Sequence, residues 1–315
     1  MDISLALGGG GVRGVAHLGV IRELEKQGFK VKAIAGTSAG GLMGSAYAAG
    51  YSTEEIETAV NRFDQNHLFT GRRSDRPALL GLDSIANILS ELLADRTFED
   101  LPIPFAVTAV SLSTGKEIIL REGKVMDAVL ATIAIPGVFP SKVIGERVLV
   151  DGGVLDPVPI RLARWMRPDL PVAAVILHRK PEGYTFEDTD LPIQVPGPVS
   201  IVERLSKLRP VQAFNIFSRS IEVTGQHLTR LSVELYKPEV AIYPRVGHIA
   251  VLQNINTKDL IQAGIVATEE AVEELKSEAN WMKRIQRSVR RRLMSEQTPE
   301  FWENISGDTP KKASE

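Results

Sequence analysis

The sequence predicts an α/β fold built on a substantially parallel sheet, and three observations carry that expectation. Short apolar runs alternate with helical patterns through the first half of the chain. Two glycine-rich turns, Gly8 to Gly14 and Gly36 to Gly40, sit where a strand hands over to a helix. The 315 residues are 43% hydrophobic and 24% charged, the balance of a globular protein with a substantial core.

Taken in order, residues 3–7 read as a strand, and the glycines after it open a helix over about 15–27 that Gly28 stops. Residues 33–36 form a second, short strand that turns at Thr37-Ser38 into a helix reaching about Ala49. Ser52-Thr53-Glu54-Glu55 has the form of a capping box, and Asp83 is placed to cap a further helix to about Ala94. Residues 104–110 and 116–121 read as paired strands around a Ser-Thr-Gly turn. A helix near 124–133 follows, then a hairpin of 142–144 with 147–150 and a buried strand over 171–178. The Pro- and Gly-containing stretch 182–198 lacks periodicity and reads as a long surface loop or lid. Helical patterns cover 199–208 and 211 to about 235, with Pro210 between them. A short strand at 241–243 precedes a long helical pattern from about Lys258 past Trp281, and a polar tail from Thr298 is expected to lack order. This gives one principal domain over 1–275, a basic amphipathic helix over 276–297 and a tail over 298–315.

Composition removes several function classes. Thirty-seven Lys and Arg against 39 Asp and Glu give a net charge of −2, so the global balance does not favour nucleic acid as a partner. With no cysteine, thiolate nucleophiles, iron–sulfur clusters and cysteine zinc sites are excluded. The N-terminus has no basic, apolar and cleavage-site regions of a leader, so the chain is read as unexported and cytoplasmic. Residues 33–53 carry no charge over the length of a spanning helix, yet their glycines, serines and threonines make the segment too polar to insert.

From Gly9, the first turn satisfies G-x-G-x-x-G, but the dinucleotide reading needs an acid about 20 residues on, at the end of the second strand. None occurs from Ala33 to Thr53. Four consecutive glycines cost more backbone entropy than a tight turn warrants, and exposed N–H groups at a helix start suit an anion or a developing oxyanion. Gly36-Thr37-Ser38-Ala39-Gly40 matches G-x-S-x-G at a strand-to-helix junction, the context of a nucleophile elbow. Ser38 is then a nucleophile with the Ala39 N–H beside it; the plainer alternative is an ordinary N-cap.

A serine hydroxyl needs a proton acceptor. Of the five histidines, His17, His67, His178, His227 and His248, only His178 and His248 fit a late-strand position, and neither has a supporting pattern. Asp151-Gly152-Gly153 is the stronger candidate, because Asp151 closes an apolar strand at the carboxyl end of the sheet, where open α/β sheets bind ligands. An aspartate of ordinary pKa is a poor base for an alcohol, so such a pair depends on geometry and desolvation.

In this order, Gly8 to Gly14, Gly36 to Gly40 and Asp151 to Gly153 resemble the patatin-like phospholipase family, in its bacterial-type members. His17-Leu18-Gly19-Val20 and Ile135-Pro136-Gly137-Val138-Phe139-Pro140 add to the match, which spans about residues 3–275. The resemblance implies a three-layer α/β/α sandwich with a central, mostly parallel sheet. It further implies a Ser/Asp dyad of Ser38 and Asp151 and an oxyanion hole of the amides around Gly9, Gly10 and Gly11, with Ala39 beside them. Arg13, Gly14, Gly36, Gly40, Gly152 and Gly153 are the supporting positions. Asp156 stands where the family commonly has Asn. The implied activity is phospholipase A or lysophospholipase-like hydrolysis of a lipid ester through an acyl-serine, with no metal and no cofactor. A soluble carboxylesterase or thioesterase, and a regulatory protein that keeps only the fold, remain as alternatives.

The last helical pattern has a second use. Lys283, Arg284, Arg287, Arg290, Arg291 and Arg292 oppose an apolar stripe of Met282, Ile285, Val289 and Leu293. Two readings stand side by side: peripheral docking on an anionic phospholipid membrane, and packing on the domain with a solvated basic face.

Overall fold

A computed structural model of the chain describes residues 1–62, 82–178, 209–251, 256–293 and 302–304. In chain order the elements are β1 (Asp2–Leu7), a 3₁₀ turn (Gly11–Val15), α1 (Ala16–Lys26), β2 (Lys30–Gly36), α2 (Ala39–Ala48), α3 (Thr53–Asn61) and α4 (Asp83–Leu93). Next come β3 (Phe105–Ser111), β4 (Glu117–Leu120), α5 (Val125–Thr132), β5 (Lys142–Ile144), β6 (Arg147–Asp151), α6 (Ile160–Met166) and β7 (Val172–Val175). The described chain closes with α7 (Arg209–Tyr236), β8 (Val240–Ile242), α8 (Thr257–Glu278), α9 (Trp281–Leu293) and β9 (Trp302–Asn304).

Among the described residues the sheet has nine strands in the order β5-β6-β3-β2-β1-β7-β8, with β4 on β3 and β9 on β4. Pairs in its centre, β3-β2-β1-β7-β8, are parallel, and β4, β5 and β6 join antiparallel. Strand alternation sorts residues by size. Ile3, Leu5, Leu7, Ile34, Phe105 and Val107 bury one face with α1, α2, α5 and α8. On the other face Ala174, Ala6, Ala35 and Ala106 stand side by side across four strands. That flat row of methyls lets α6 and the end of α7 pack on the sheet through Leu162, Ala163 and Tyr236. The result is a mostly parallel central sheet with flanking helices on both faces.

Two strands approach the site head to head. Backbone groups of successive β3 residues point to opposite edges. Pro104 O accepts from Ile34 N–H of β2 and Leu112 N–H donates to Val148 of β6, whereas Ser111 N–H turns toward Lys116 on the β4 side. Hence β2 and β6 share one edge of β3, and β2 runs parallel to it while β6 runs antiparallel. Gly36 stops opposite Val107 and Asp151 stops opposite Ala109, leaving Thr108 in the gap. Residues 115 positions apart in the motifs therefore meet because two strands end against each other.

The expected capping box at Ser52 forms, with Glu55 returning to the Ser52 N–H, while several other expectations change. Asp83 lies inside α4, whose N-cap is Leu82. Helix α6 has only seven residues, too short to show a helical period, and was not anticipated. Pro210 falls in the first turn of α7, where its missing N–H costs nothing. The 182–198 and 199–208 segments lie outside the described residues. The long final pattern divides at Ala279-Asn280 into α8 and α9. Residues 302–304 of the tail pair with β4 instead of lacking order.

The first three basic residues of α9 are paired with acids of the domain. Lys283 pairs with Glu278 at 2.5 Å, Arg284 with Asp2 and Asp169 at 3.1 and 3.4 Å, and Arg287 with Glu278 and Glu239 at 2.9 and 3.7 Å. Met282, Ile285 and Val289 are the outward residues, 54%, 52% and 52% exposed. An amphipathic pattern defines two faces but not which turns inward, and the domain's acids engage Lys283, Arg284 and Arg287. Side chains of Arg290, Arg291 and Arg292 lie outside the described set. Among the described residues no helix is long and apolar enough to cross a membrane.

Candidate active site

Ser38 sits at φ 52°, ψ −121°, between β2 and α2, and its side chain makes no capping hydrogen bond to the helix. A non-glycine residue with positive φ is strained and is held only where its surroundings over-determine it. Those surroundings are close. A Cβ on Gly40 would lie 2.0 Å from the Leu7 carbonyl oxygen, and the N–H of Ser38 donates to Thr132 Oγ1 at 2.9 Å. The N-cap reading of Ser38 therefore fails on its own hydrogen bonds, and the hydroxyl is left for another use.

Asp151 is buried, and its Oδ1 accepts from the Gly153 N–H at 2.7 Å. Oδ2 is buried with no hydrogen-bond partner. Burial pushes its pKa up to about 7, against smaller opposing effects of the neighbouring Ser38 hydroxyl and the Gly153 N–H. The Ser38 hydroxyl is thus a direct neighbour of the carboxylate. The aspartate is a far better base than one of ordinary pKa.

The segment after Asp151 ties the site together. Gly152 passes so near β3 that a Cβ would stand 2.1 Å from Thr108 Oγ1. Thr37 Oγ1 contacts both Thr108 Oγ1 at 2.7 Å and the Asp156 carbonyl at 2.9 Å. Gly9 N–H donates to the Pro157 carbonyl at 2.9 Å. This last bond corrects the sequence expectation: the Gly9 amide is committed to the fold, whereas those of Gly10, Gly11 and Ala39 donate to no described group. Asp156 itself is buried, and burial together with the nearby Glu117 raises its pKa well above the usual carboxylate range, opposed by Arg161.

Ser38, Asp151 and the glycine loop line one cavity of about 120 Å³. Ile135, Pro136, Val138 and Val154 supply apolar lining, and α7 contributes Ser218, Ile221, Glu222 and Gly225. Arg13 fastens that helix. Its guanidinium is buried, pairs with Glu222 at 2.6 Å and also donates to the Ile249 carbonyl. His17 supports the loop from below, donating from Nε2 to the Gly8 carbonyl at 2.8 Å, with burial holding its pKa down at about 4. Among the described residues no three His, Asp or Glu side chains gather in a metal-holding group.

A family model described as patatin-like phospholipase matches residues 5–164, which hold the glycine loop, the elbow and Asp151. The chain belongs to the patatin-like phospholipase family. An uncharacterized NTE family protein of Mycobacterium tuberculosis is 36% identical over 172 residues, covering 54% of this chain and 48% of that protein. A second from the same organism is 28% identical over 280 residues, covering 86% and 46%. Lysophospholipase NTE1 of Mycosarcoma maydis is 31% identical over 172 residues, covering 51% and 9%. The chain spans about half the length of the mycobacterial relatives. The crystal structure of VipD from Legionella pneumophila shares the fold, with a TM-score of 0.53 at 14% identity over 88% of this chain and 66% of that one.

In this patatin-like chain the structure adds Thr132, Thr108, Glu222 and Ser218, which no motif flagged. Thr132 and Thr108 fix the elbow with Thr37 of the motif, and Glu222, Ser218 and the histidine candidate His178 reach the cavity from elsewhere in the sequence. His227 and His248 are exposed, and His67 lies outside the described residues.

Proposed function

We propose that the chain is a serine lipid acyl hydrolase, of phospholipase A or lysophospholipase type, that uses a Ser38/Asp151 dyad. The observation that carries this reading is the strained, uncapped Ser38 beside a buried carboxylate whose pKa has risen to about 7, in one cavity with unengaged loop amides. Ser38 Oγ attacks the ester carbonyl as Asp151 takes its proton, and the oxyanion faces the N–H groups of Gly10, Gly11 and Ala39. Asp151 returns the proton to the departing alcohol, and water, deprotonated by the same carboxylate, releases the fatty acid. Lipid as the ester class follows from the family and from the apolar lining.

His178 also reaches the cavity, yet its pKa is held down at about 4 by burial first and by the Arg13 charge second. An imidazole beside a fixed cation resists the proton a catalytic base must accept. A fluorophosphonate label should land on Ser38, and Ser38→Ala and Asp151→Asn should each lower kcat/KM on a phospholipid, lysophospholipid and short-chain ester panel by about 10³-fold or more while the fold persists. Turnover retained in Ser38→Ala rejects the proposal; turnover of short-chain esters alone favours a carboxylesterase.

A further inference from the structure

Strand order sets the site out as a row. Asp151 ends β6, Ser38 follows β2, the glycine loop follows β1 and His178 follows β7, so His178 stands on the far side of the glycine loop from Asp151. Its hydrogen bonds fix its tautomer. Thr229 Oγ1 lies 2.8 Å from the Gly225 carbonyl and 3.0 Å from His178 Nδ1. A hydroxyl has one proton, and the Gly225 carbonyl can only accept. Both contacts are hydrogen bonds only if Thr229 donates to Gly225 and His178 Nδ1–H donates to Thr229. Nε2 is then an unprotonated acceptor, and Gly225, whose missing side chain leaves the ring nitrogen uncovered on that side, lines the same cavity.

We infer that His178 Nε2 is a specificity element that accepts a hydrogen bond from a hydroxyl on the substrate, so that the preferred esters are hydroxylated lipids. The inference rests on the hydrolase reading above. The hydroxyl belongs either to the ester's alcohol, as in a monoacyl glycerol ester, or to its acyl chain, and both present the same donor. Once a bound lipid covers Nε2, an acceptor left without its donor is costly, which makes such a contact discriminate against the analogue lacking it. His178 would position substrate and take no proton.

Two substrate pairs separate the sources: glycerol 1-monodecanoate against propyl decanoate, which has the same carbon skeleton and no hydroxyl, and 3-hydroxydecanoyl against decanoyl p-nitrophenyl ester. The wild-type protein should favour the hydroxylated member of one pair by about tenfold in kcat/KM, chiefly through KM. His178→Leu should bring that ratio close to one while Ser38 still takes a fluorophosphonate. Thr229→Val, which frees the tautomer without touching the cavity, should reduce the ratio and serves if His178→Leu does not fold. Turnover with no preference in either pair, a preference that survives His178→Leu, or loss of turnover on all four esters in that variant overturns the inference. No turnover of any ester by the wild type overturns the hydrolase reading instead, and this inference with it.

Discussion

The floor and the roof of the cavity are built by different means. On the floor, the elbow, the glycine loop and the Asp151 turn are held by backbone groups so close that side chains are excluded, as at Gly40 against Leu7 and Gly152 against Thr108. On the roof, α7 is held by side chains that reach across the chain, above all Arg13 and Glu222, 209 positions apart. Floor positions tolerate almost no change of volume, because a clash with backbone moves Ser38 and Asp151 themselves. The roof works through an ion pair whose loss shifts a helix but leaves Ser38 in place. The comparison teaches that the chemistry is fixed by sterics and the access to it by electrostatics.

Breaking the floor should have the largest effect. Gly40→Ala forces the Leu7 carbonyl aside and should cost more than about 3 kcal/mol, read as a lower denaturation midpoint and loss of esterase activity. A cost below about 1 kcal/mol would mean the floor is not held as described. Glu222→Gln sharpens the contrast: it leaves the buried Arg13 charge without its carboxylate and should cost about 1–3 kcal/mol, with faster proteolysis of α7. Fluorophosphonate labelling of Ser38 should persist there, and its disappearance would tie roof to floor more tightly than the ion pair implies. The smallest effect is expected at α9, where Arg284→Ala removes partly exposed pairs with Asp2 and Asp169 and should cost below about 1 kcal/mol by thermal unfolding.

Legibility in the sequence follows the same division. Gly36 to Gly40 and Asp151 to Gly153 were readable because the steric demand falls on residues adjacent in sequence. The alternating strands and helices gave the layers, and Ser52 with Glu55 gave a helix start, for the same local reason. Nothing local marks Glu222, Thr229 or Thr132, whose roles exist only once distant elements pack. The Gly9 amide looked as available as its neighbours until Pro157 was placed against it. Helix α9 shows the limit most clearly: its two faces were evident, but the acids that pair with Lys283, Arg284 and Arg287, namely Asp2, Asp169, Glu239 and Glu278, are spread over the whole chain.

The most direct test of the dyad is the pre-steady-state rate at which a p-nitrophenyl ester acylates Ser38, followed from about pH 5 to about pH 9. Asp151 has its pKa raised to about 7, so below that pH it is protonated and cannot take the serine proton. The wild-type rate should climb as pH rises through about 7 and then level off, and Asp151→Asn should be slower by about 10³-fold with no inflection. An inflection near 7 that survives in Asp151→Asn, or a wild-type rate flat across that range, would contradict the assignment of Asp151 as the base.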